Sequence, residues 1–340
     1  MNIDGIVGAV KNCVRTHALE ERGQYARFLW QNEWNTRELG VNEYGCADAV
    51  NILYTLNDFI SDPDSRTDHI RALQNLQHKD TGFFEEHTHH VIHTTAHCIA
   101  ALELLDARPL YPVYALKEHF TAAGIRLFLD GLNWENGPWQ ASHQGAGIYV
   151  CGKLTDAGDS AWEKAYFDWL WNNTDPDSGF WMKNGTGDTT PLYQHMAGSF
   201  HYFFNHEYAK MPARYPERMI DSLIEMYENR QIGRKNDWYD NDKFGQYIGF
   251  LEVDWVYSVN RALRQTAGYR YDDCKRALRR FAKDYIDWLD SLDYQSHEGF
   301  NDLHLLFGTT CALAELQTAL PGEIQSKKPL RLVLDRRPFI

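Results

Sequence analysis

Four carboxylates and a set of imidazoles stand where a helix of a globular protein usually carries apolar side chains. Asp48, Glu252, Asp254 and Asp302 lie in, or directly before, the apolar segments CADAVNILYTL, EVDWVYSVNRAL and HLLFGTTCALAEL. Two carboxyl groups across a scissile bond, one protonated and one ionised, are what glycoside hydrolysis needs. Imidazoles, an amide and a phenol recur in the same places. His93 and His97 lie in HTTAHCIAALELL, with His89 and His90 just upstream; His143 and Gln144 open HQGAGIYVCGKL, Tyr193 and His195 lie in YQHMAGSFHYFF, and His304 opens HLLFGTTCALAEL. The stretches before these segments carry rings, among them Trp34, Phe83, Phe84, Trp134, Trp139, Phe180, Trp181, Trp238, Tyr239 and Phe300. Flat faces beside a hydrogen-bonding rim make a surface that a sugar can stack on.

Each feature also has a plainer reading. His93 with His97, and His89 with His93, have the i, i+4 spacing of a helical metal pair, but no HExxH accompanies them. No metal or other cofactor is therefore expected. Asp48 reads equally as a catalytic group or as the buried partner of an Arg or His, and Asp302 equally as a helix N-cap. Glu252 and Asp254 point to different faces of one helix, so one of the two is expected to reach a site. Asp272-Asp273 reads as the cap of a helix away from it.

The elements that would hold these groups repeat roughly every 50 residues. Each repeat reads as an amphipathic helix, a loop rich in Gly, Asp and Asn, and then a helix apolar on nearly all sides. Leu116, Phe120, Ala123 and Leu127 fall on one helical face, as do Trp162, Ala165, Tyr166 and Trp169, and Ala277, Leu278, Phe281, Tyr285 and Trp288. A helix apolar on all faces is buried on all faces. Six such alternations predict an all-α fold, an (α/α)6 toroid over residues 1–320 with an inner and an outer ring. Residues 321–340 then form a basic tail, packed on the toroid or frayed. Pro216 suits a first helical turn, and KDTG and DPDSG mark turns. Period-two alternation is limited to short pieces such as LRLVL near the carboxyl end. In this arrangement the N-termini of six inner helices face one basin, and the polar clusters gather there.

Composition restricts the partners. The 340 residues carry 34 Lys and Arg against 47 Asp and Glu, a net charge of −13, which disfavours nucleic acid and anionic membranes. No run of about 18 apolar residues suggests a membrane span, and the first residues lack the pattern of a cleaved leader. Cys13, Cys46, Cys98, Cys151, Cys274 and Cys311 contain no CxxC pair and are expected to be reduced core thiols of a cytoplasmic protein.

The stretches LQNLQHKDTGFF and WLWNNTDPDSGFW, each followed by a polar loop and a buried helix, resemble the Gln-Gly-aromatic repeats of the terpenoid cyclase and protein prenyltransferase superfamily. The six-hairpin plan is equally similar to the six-hairpin glycosidases and the toroid polysaccharide lyases. These resemblances imply the (α/α)6 architecture over the whole chain. The DxDD and DDxxD motifs of the cyclases are missing, and no zinc set in the prenyltransferase order occurs.

A basin lined by so many His, Asn and Gln would quench a carbocation, which tilts the expectation towards carbohydrate. The leading expectation is a glycoside hydrolase acting on an oligosaccharide through Asp48, Glu252, Asp254 and Asp302. His93, His97, Trp139, His143, Gln144, Trp181, Tyr193, His195, Trp238 and His304 would bind the substrate. A lyase is the first alternative, with His143, His195 or Tyr193 as base and Arg261 or Arg264 as the carboxylate partner. An isoprenoid enzyme is the second, with Arg234 and Lys235 for a diphosphate, and a non-catalytic ligand-binding scaffold is the third.

Overall fold

Helices of two kinds alternate along the chain, in a computed structural model that describes residues 1–31, 37–183, 190–229, 232 and 250–340. In chain order the described elements are α1 (Asp4–His17), α2 (Glu43–Thr55), α3 (Pro63–Asn75), α4 (Val91–Leu104), a 3₁₀ segment (Tyr114–His119), α5 (Ala122–Asp130), α6 (Pro138–Leu154) and α7 (Ser160–Asn172). They continue with α8 (Leu192–Ala209), α9 (Pro216–Glu228), α10 (Leu251–Arg264), α11 (Tyr271–Asp290), α12 (Glu298–Asn301), α13 (Leu303–Ala319) and α14 (Val333–Arg336). The segments read as apolar all round are α2, α4, α6, α8, α10 and α13, and they are buried along most of their length. The amphipathic segments between them bury one face each. No strand forms among the described residues, and extended backbone pairs only in isolated bridges such as Ala18 with Tyr25. Val333 and Leu334 of the LRLVL stretch enter a helical turn instead. None of the described helices is long and apolar enough to cross a membrane.

The chain divides into two compact units, each assembled from separate stretches. The first comprises residues 1–75, 227–257 and 270–333, and the second residues 76–226, 258–269 and 334–340. In the first unit α13 packs along α2, with α1 and α11 against them. In the second, α4, α6 and α8 pack side by side, and α7 lies against α5 and α6. All six cysteines are buried and free. Burial pushes the Cys13 and Cys46 thiols up to about 12, far from the thiolate form that reacts.

Two loops of the second unit share one construction. In the DTGFF stretch, His78 N–H donates to the Phe83 carbonyl and Gly82 N–H to the His78 carbonyl. In the DSGFW stretch, Asp175 N–H donates to the Phe180 carbonyl and Gly179 N–H to the Asp175 carbonyl. The aromatic pair is then tied to a hydroxyl of the following buried helix. Phe84 N–H donates to Thr95 Oγ1 at 3.0 Å, and Trp181 N–H to Ser199 Oγ at 3.1 Å. Gly82 and Gly179 have φ of +78° and +77°. A Cβ at Gly82 would overlap the Pro112 carbonyl oxygen, and one at Gly179 would lie 2.5 Å from Met219 N. These loops turn rings inward: Phe84, Phe180 and Trp181 are all buried.

One helical face differs from its expectation. Leu116, Phe120, Ala123 and Leu127 do not share a buried stripe, since Leu127 is 74% exposed while Ile125 and Leu129 are buried. The helix breaks at Thr121, whose hydroxyl accepts from Gly124 N–H at 3.0 Å and starts α5 afresh. That restart resets the helical phase. The tail from residue 321 is packed. Arg331 N–H donates to the Thr55 carbonyl within the first unit. In the second, Arg336 pairs with Glu103 and Asp106, and Asn205 Nδ2 donates to the Pro338 carbonyl at 3.0 Å.

The loop geometry makes a prediction that separates strain from crowding. Gly268 also has a positive φ, +88°, but a Cβ there would meet nothing within 4 Å. Gly268→Ala should cost about 1 kcal/mol from the left-handed backbone alone. Gly82→Ala must also displace the Pro112 backbone and should cost several times as much by urea unfolding. Equal costs would show that the close approach does not constrain the loop.

Candidate functional site

The carboxylates singled out from the sequence all lie in the first unit, and their surroundings differ sharply. Asp302 is held by Arg27, with Nε to Oδ1 and Nη2 to Oδ2 both at 2.9 Å. Its Oδ1 also accepts from His304 N–H at 3.0 Å, capping α13. Burial alone would raise this carboxyl, but the Arg27 charge and hydrogen bonds outweigh it and hold the group below the usual carboxylate range. Arg27 in turn lies over the rings of Phe28 and Tyr44. Both oxygens of Asp302 are thus committed to the architecture.

Asp48 meets His304 across the α2–α13 contact, with Nδ1 and Oδ2 2.9 Å apart and both groups buried. A carboxylate that accepts from Nδ1–H fixes the imidazole tautomer and leaves Nε2 as a base. The His304 ring is wedged between Tyr44, at 4.4 Å, and Phe250, at 4.5 Å. Phe250 accepts from Asp254 N–H at 2.8 Å, so the first turn of α10 is placed beside the Asp48–His304 pair.

That turn carries Glu252 and Asp254. Both are buried, so the two faces on which they were expected are equally withdrawn from solvent. Neither oxygen of Asp254 has a hydrogen-bond partner among the described residues. Burial first, and the neighbouring Glu252 charge second, raise Asp254 well above the usual carboxylate range, which favours its neutral form. Burial lifts Glu252 from the usual 4.5 to about 7. Tyr285 of α11 is close enough for the Glu252 charge to add to the burial that raises its phenol. A carboxyl poised near neutrality next to one that favours its neutral form is a pairing suited to proton transfer.

The histidines gather in the second unit. His93 of α4 has ring centroids 4.4 Å from His143 of α6 and 5.9 Å from His201 of α8, and His143 lies 5.0 Å from His201. One donor atom from each of the three lies within 4.8 Å of the others, a spacing in which a metal ion could be held. His89 stacks on His93 with ring centroids 5.0 Å apart, and the His97 ring lies nearly parallel to that of His93 at 6.4 Å. His201 was not among the residues singled out from the sequence. It stands in the middle of α8, whereas that reading favoured polar residues near helix starts.

The remaining expected binding residues are dispersed. Trp139, His143 and Gln144 are half-buried on the first turns of α6, and Tyr193 is buried at the start of α8. Trp181 is 2% exposed, closed in by His206 at 4.7 Å and by Tyr202 and Phe203, so its faces meet its own chain. His195 is buried with neither ring nitrogen hydrogen-bonded among the described residues, and burial lowers it to about 4. Trp34, Trp238 and Tyr239, like Arg234 and Lys235, lie outside the described residues.

The two classes of buried group act oppositely on stability. A carboxyl with a raised folded pKa makes stability fall as pH rises, because the folded state keeps a proton that the unfolded chain has lost. For Glu252 this window runs from 4.5 to about 7. His201 and His206, lowered by burial from 6.5 to about 4, make stability fall as acid is added through that range. The useful readout is therefore the difference between wild type and Glu252→Gln. Across the Glu252 window, wild type should lose about 3 kcal/mol relative to the variant in denaturant unfolding. A flat difference would show that Glu252 is ionised in the folded protein. No family model, no curated protein and no solved structure matches the chain, so its function rests on this geometry.

Proposed function

We propose that this protein is a carbohydrate-active hydrolase, acting on an oligosaccharide, whose acid–base chemistry lies in Glu252, Asp254 and the Asp48–His304 pair. The observation that carries this reading is the buried turn of α10. It presents Glu252, lifted to about 7, beside an Asp254 that burial raises well above the usual carboxylate range, with the His304 ring against Phe250 of the same turn. Glu252 in its protonated form donates to the glycosidic oxygen as the bond to the anomeric carbon breaks. His304 Nε2, with Nδ1–H donated to Asp48, takes the proton of the attacking water. Asp302, bound through both oxygens to Arg27, serves to orient α13 rather than to react.

We further infer that the six hairpins close into an (α/α)6 toroid. The alternation of fully and half-buried helices supports it, as do the packing of α13 along α2 and the sequence α4, α6, α8. The lyase alternative draws less support. Its base candidate His195 is held near 4, and its Arg261 is engaged by Asp335 at 2.7 Å.

The test is release of reducing ends from a panel of neutral and acidic oligosaccharides. On a substrate that is turned over, Glu252→Gln and His304→Ala should each lower kcat by about 10²–10⁴-fold with the fold intact. Asp302→Asn should act on stability instead. Activity should decline as pH rises past about 7, where Glu252 loses its proton. Full activity in Glu252→Gln, or neither binding nor cleavage of any oligosaccharide in the panel, would overturn the reading.

A further inference from the structure

The histidine cluster of the second unit has no part in the chemistry assigned to the first. We propose that His93, His143 and His201 bind one divalent transition-metal ion, zinc foremost, and leave it a coordination position open to water or to an oxygen of a bound molecule.

The placement begins with backbone packing. An imidazole reaches only a short way from its helix, so three rings from three helices meet only if the helices approach closely. Gly147 of α6 and Gly198 of α8 permit this. A Cβ at Gly147 would lie 3.1 Å from the Ile92 carbonyl oxygen of α4, and one at Gly198 2.9 Å from that of Pro138 of α6. The donors then lie within 4.8 Å of one another. Zinc at about 2.1 Å from each nitrogen wants them roughly 3.4 Å apart, a contraction that small side-chain rotations supply.

The chemistry of the donors agrees. Imidazole binds a metal through one ring nitrogen, and in His201 the geometry leaves Nε2 for that role. Its other nitrogen is already used: Nδ1 lies 3.0 Å from the Ala197 carbonyl, with Ser142 Oγ at 3.2 Å. Donation to that carbonyl fixes the tautomer and turns the Nε2 lone pair outward, as the supporting hydrogen bonds of metal-bound histidines do. His89, stacked on His93, is itself 3.1 Å from the Glu86 carboxylate. The Glu86 side chain is only 1% exposed, so it holds His89 from a buried position. Phe339 from the tail lies 4.9 Å from His93 and 6.0 Å from His201, an apolar wall on one side. His143 is half-buried and gives the way in. Three imidazoles with an accessible fourth position match the ligand set of catalytic rather than structural zinc.

Cobalt(II) is the probe, added to the full-length protein after treatment with a chelator. Wild type should take up one cobalt per chain with the visible d–d absorption of a four- or five-coordinate nitrogen and oxygen site, and zinc should bleach it. His143→Ala and His201→Gln should each weaken cobalt binding at least tenfold, while His78→Ala, at an exposed turn, should not. Circular dichroism establishes that each variant is folded. If His201→Gln fails that check, His143→Ala at its half-buried position decides alone. Absence of the cobalt spectrum in wild type, a spectrum of thiolate charge transfer, or equal affinity in wild type and His143→Ala would each overturn the site.

Discussion

Desolvation of ionisable groups on helices buried from every side is the constraint on which this structure turns. Water is withheld from α2, α4, α6, α8, α10 and α13, so each charge on them must be matched, neutralised or ligated. Asp302, Asp48 and Asp254 show the first two routes. Asp302 is matched by the fork of Arg27. Asp48 is matched by an imidazole, which holds a carboxylate without fixing a permanent positive charge. Asp254 has no hydrogen-bond partner among the described residues, and burial raises its carboxyl towards the neutral form, which costs less than burying an unpaired anion. These solutions differ in consequence: the Arg27–Asp302 pair is inert at any pH near neutrality, whereas Glu252 near 7 can exchange its proton.

The plan of alternating helices was legible because it depends on period alone. Apolar residues on every face of CADAVNILYTL or HTTAHCIAALELL leave no arrangement except burial, and both became helices within three residues of where the pattern begins. What period does not encode is phase across a break. The stripe from Leu116 to Leu127 was continuous in sequence, and a single Thr121 hydroxyl interrupted it. The aromatic loops were misleading for a related reason. Trp181 and Phe84 follow glycines with positive φ, and that turn directs their rings inward, onto the hydroxyl-tied helices, where composition suggests an exposed ligand surface.

The site was legible by type and not by partner. Sequence put Asp48, Asp302 and His304 near one another through the order of the helices, but could not say which of the two carboxylates would take Arg27. Only the bridge between Phe28 and Asp302, made as the chain before α2 passes α13, decides it. His201 is not legible in the sequence, because it stands in the middle of α8, away from the helix starts where the polar residues cluster. Its spacing from neighbouring residues gives no warning, since its partners come from other helices.

α8 shows how far chemistry outweighs packing in this fold. His195, Ser199, Tyr202 and His206 recur at intervals of three and four, so they share a face. Along it, His195 and Tyr202 have polar atoms without hydrogen-bond partners among the described residues, as does the Trp181 indole nitrogen that belongs to the same packing. Each such atom costs about 1–3 kcal/mol. A helix built for packing alone would carry Phe at 202, keeping the 5.1 Å stack on Trp134 and losing the buried hydroxyl. His201 stands off that face and is directed to His143 and His93. Two differently polar faces on one buried helix cost stability, and packing returns part of that cost where Ser199 Oγ accepts from Trp181 N–H and Tyr202 stacks on Trp134.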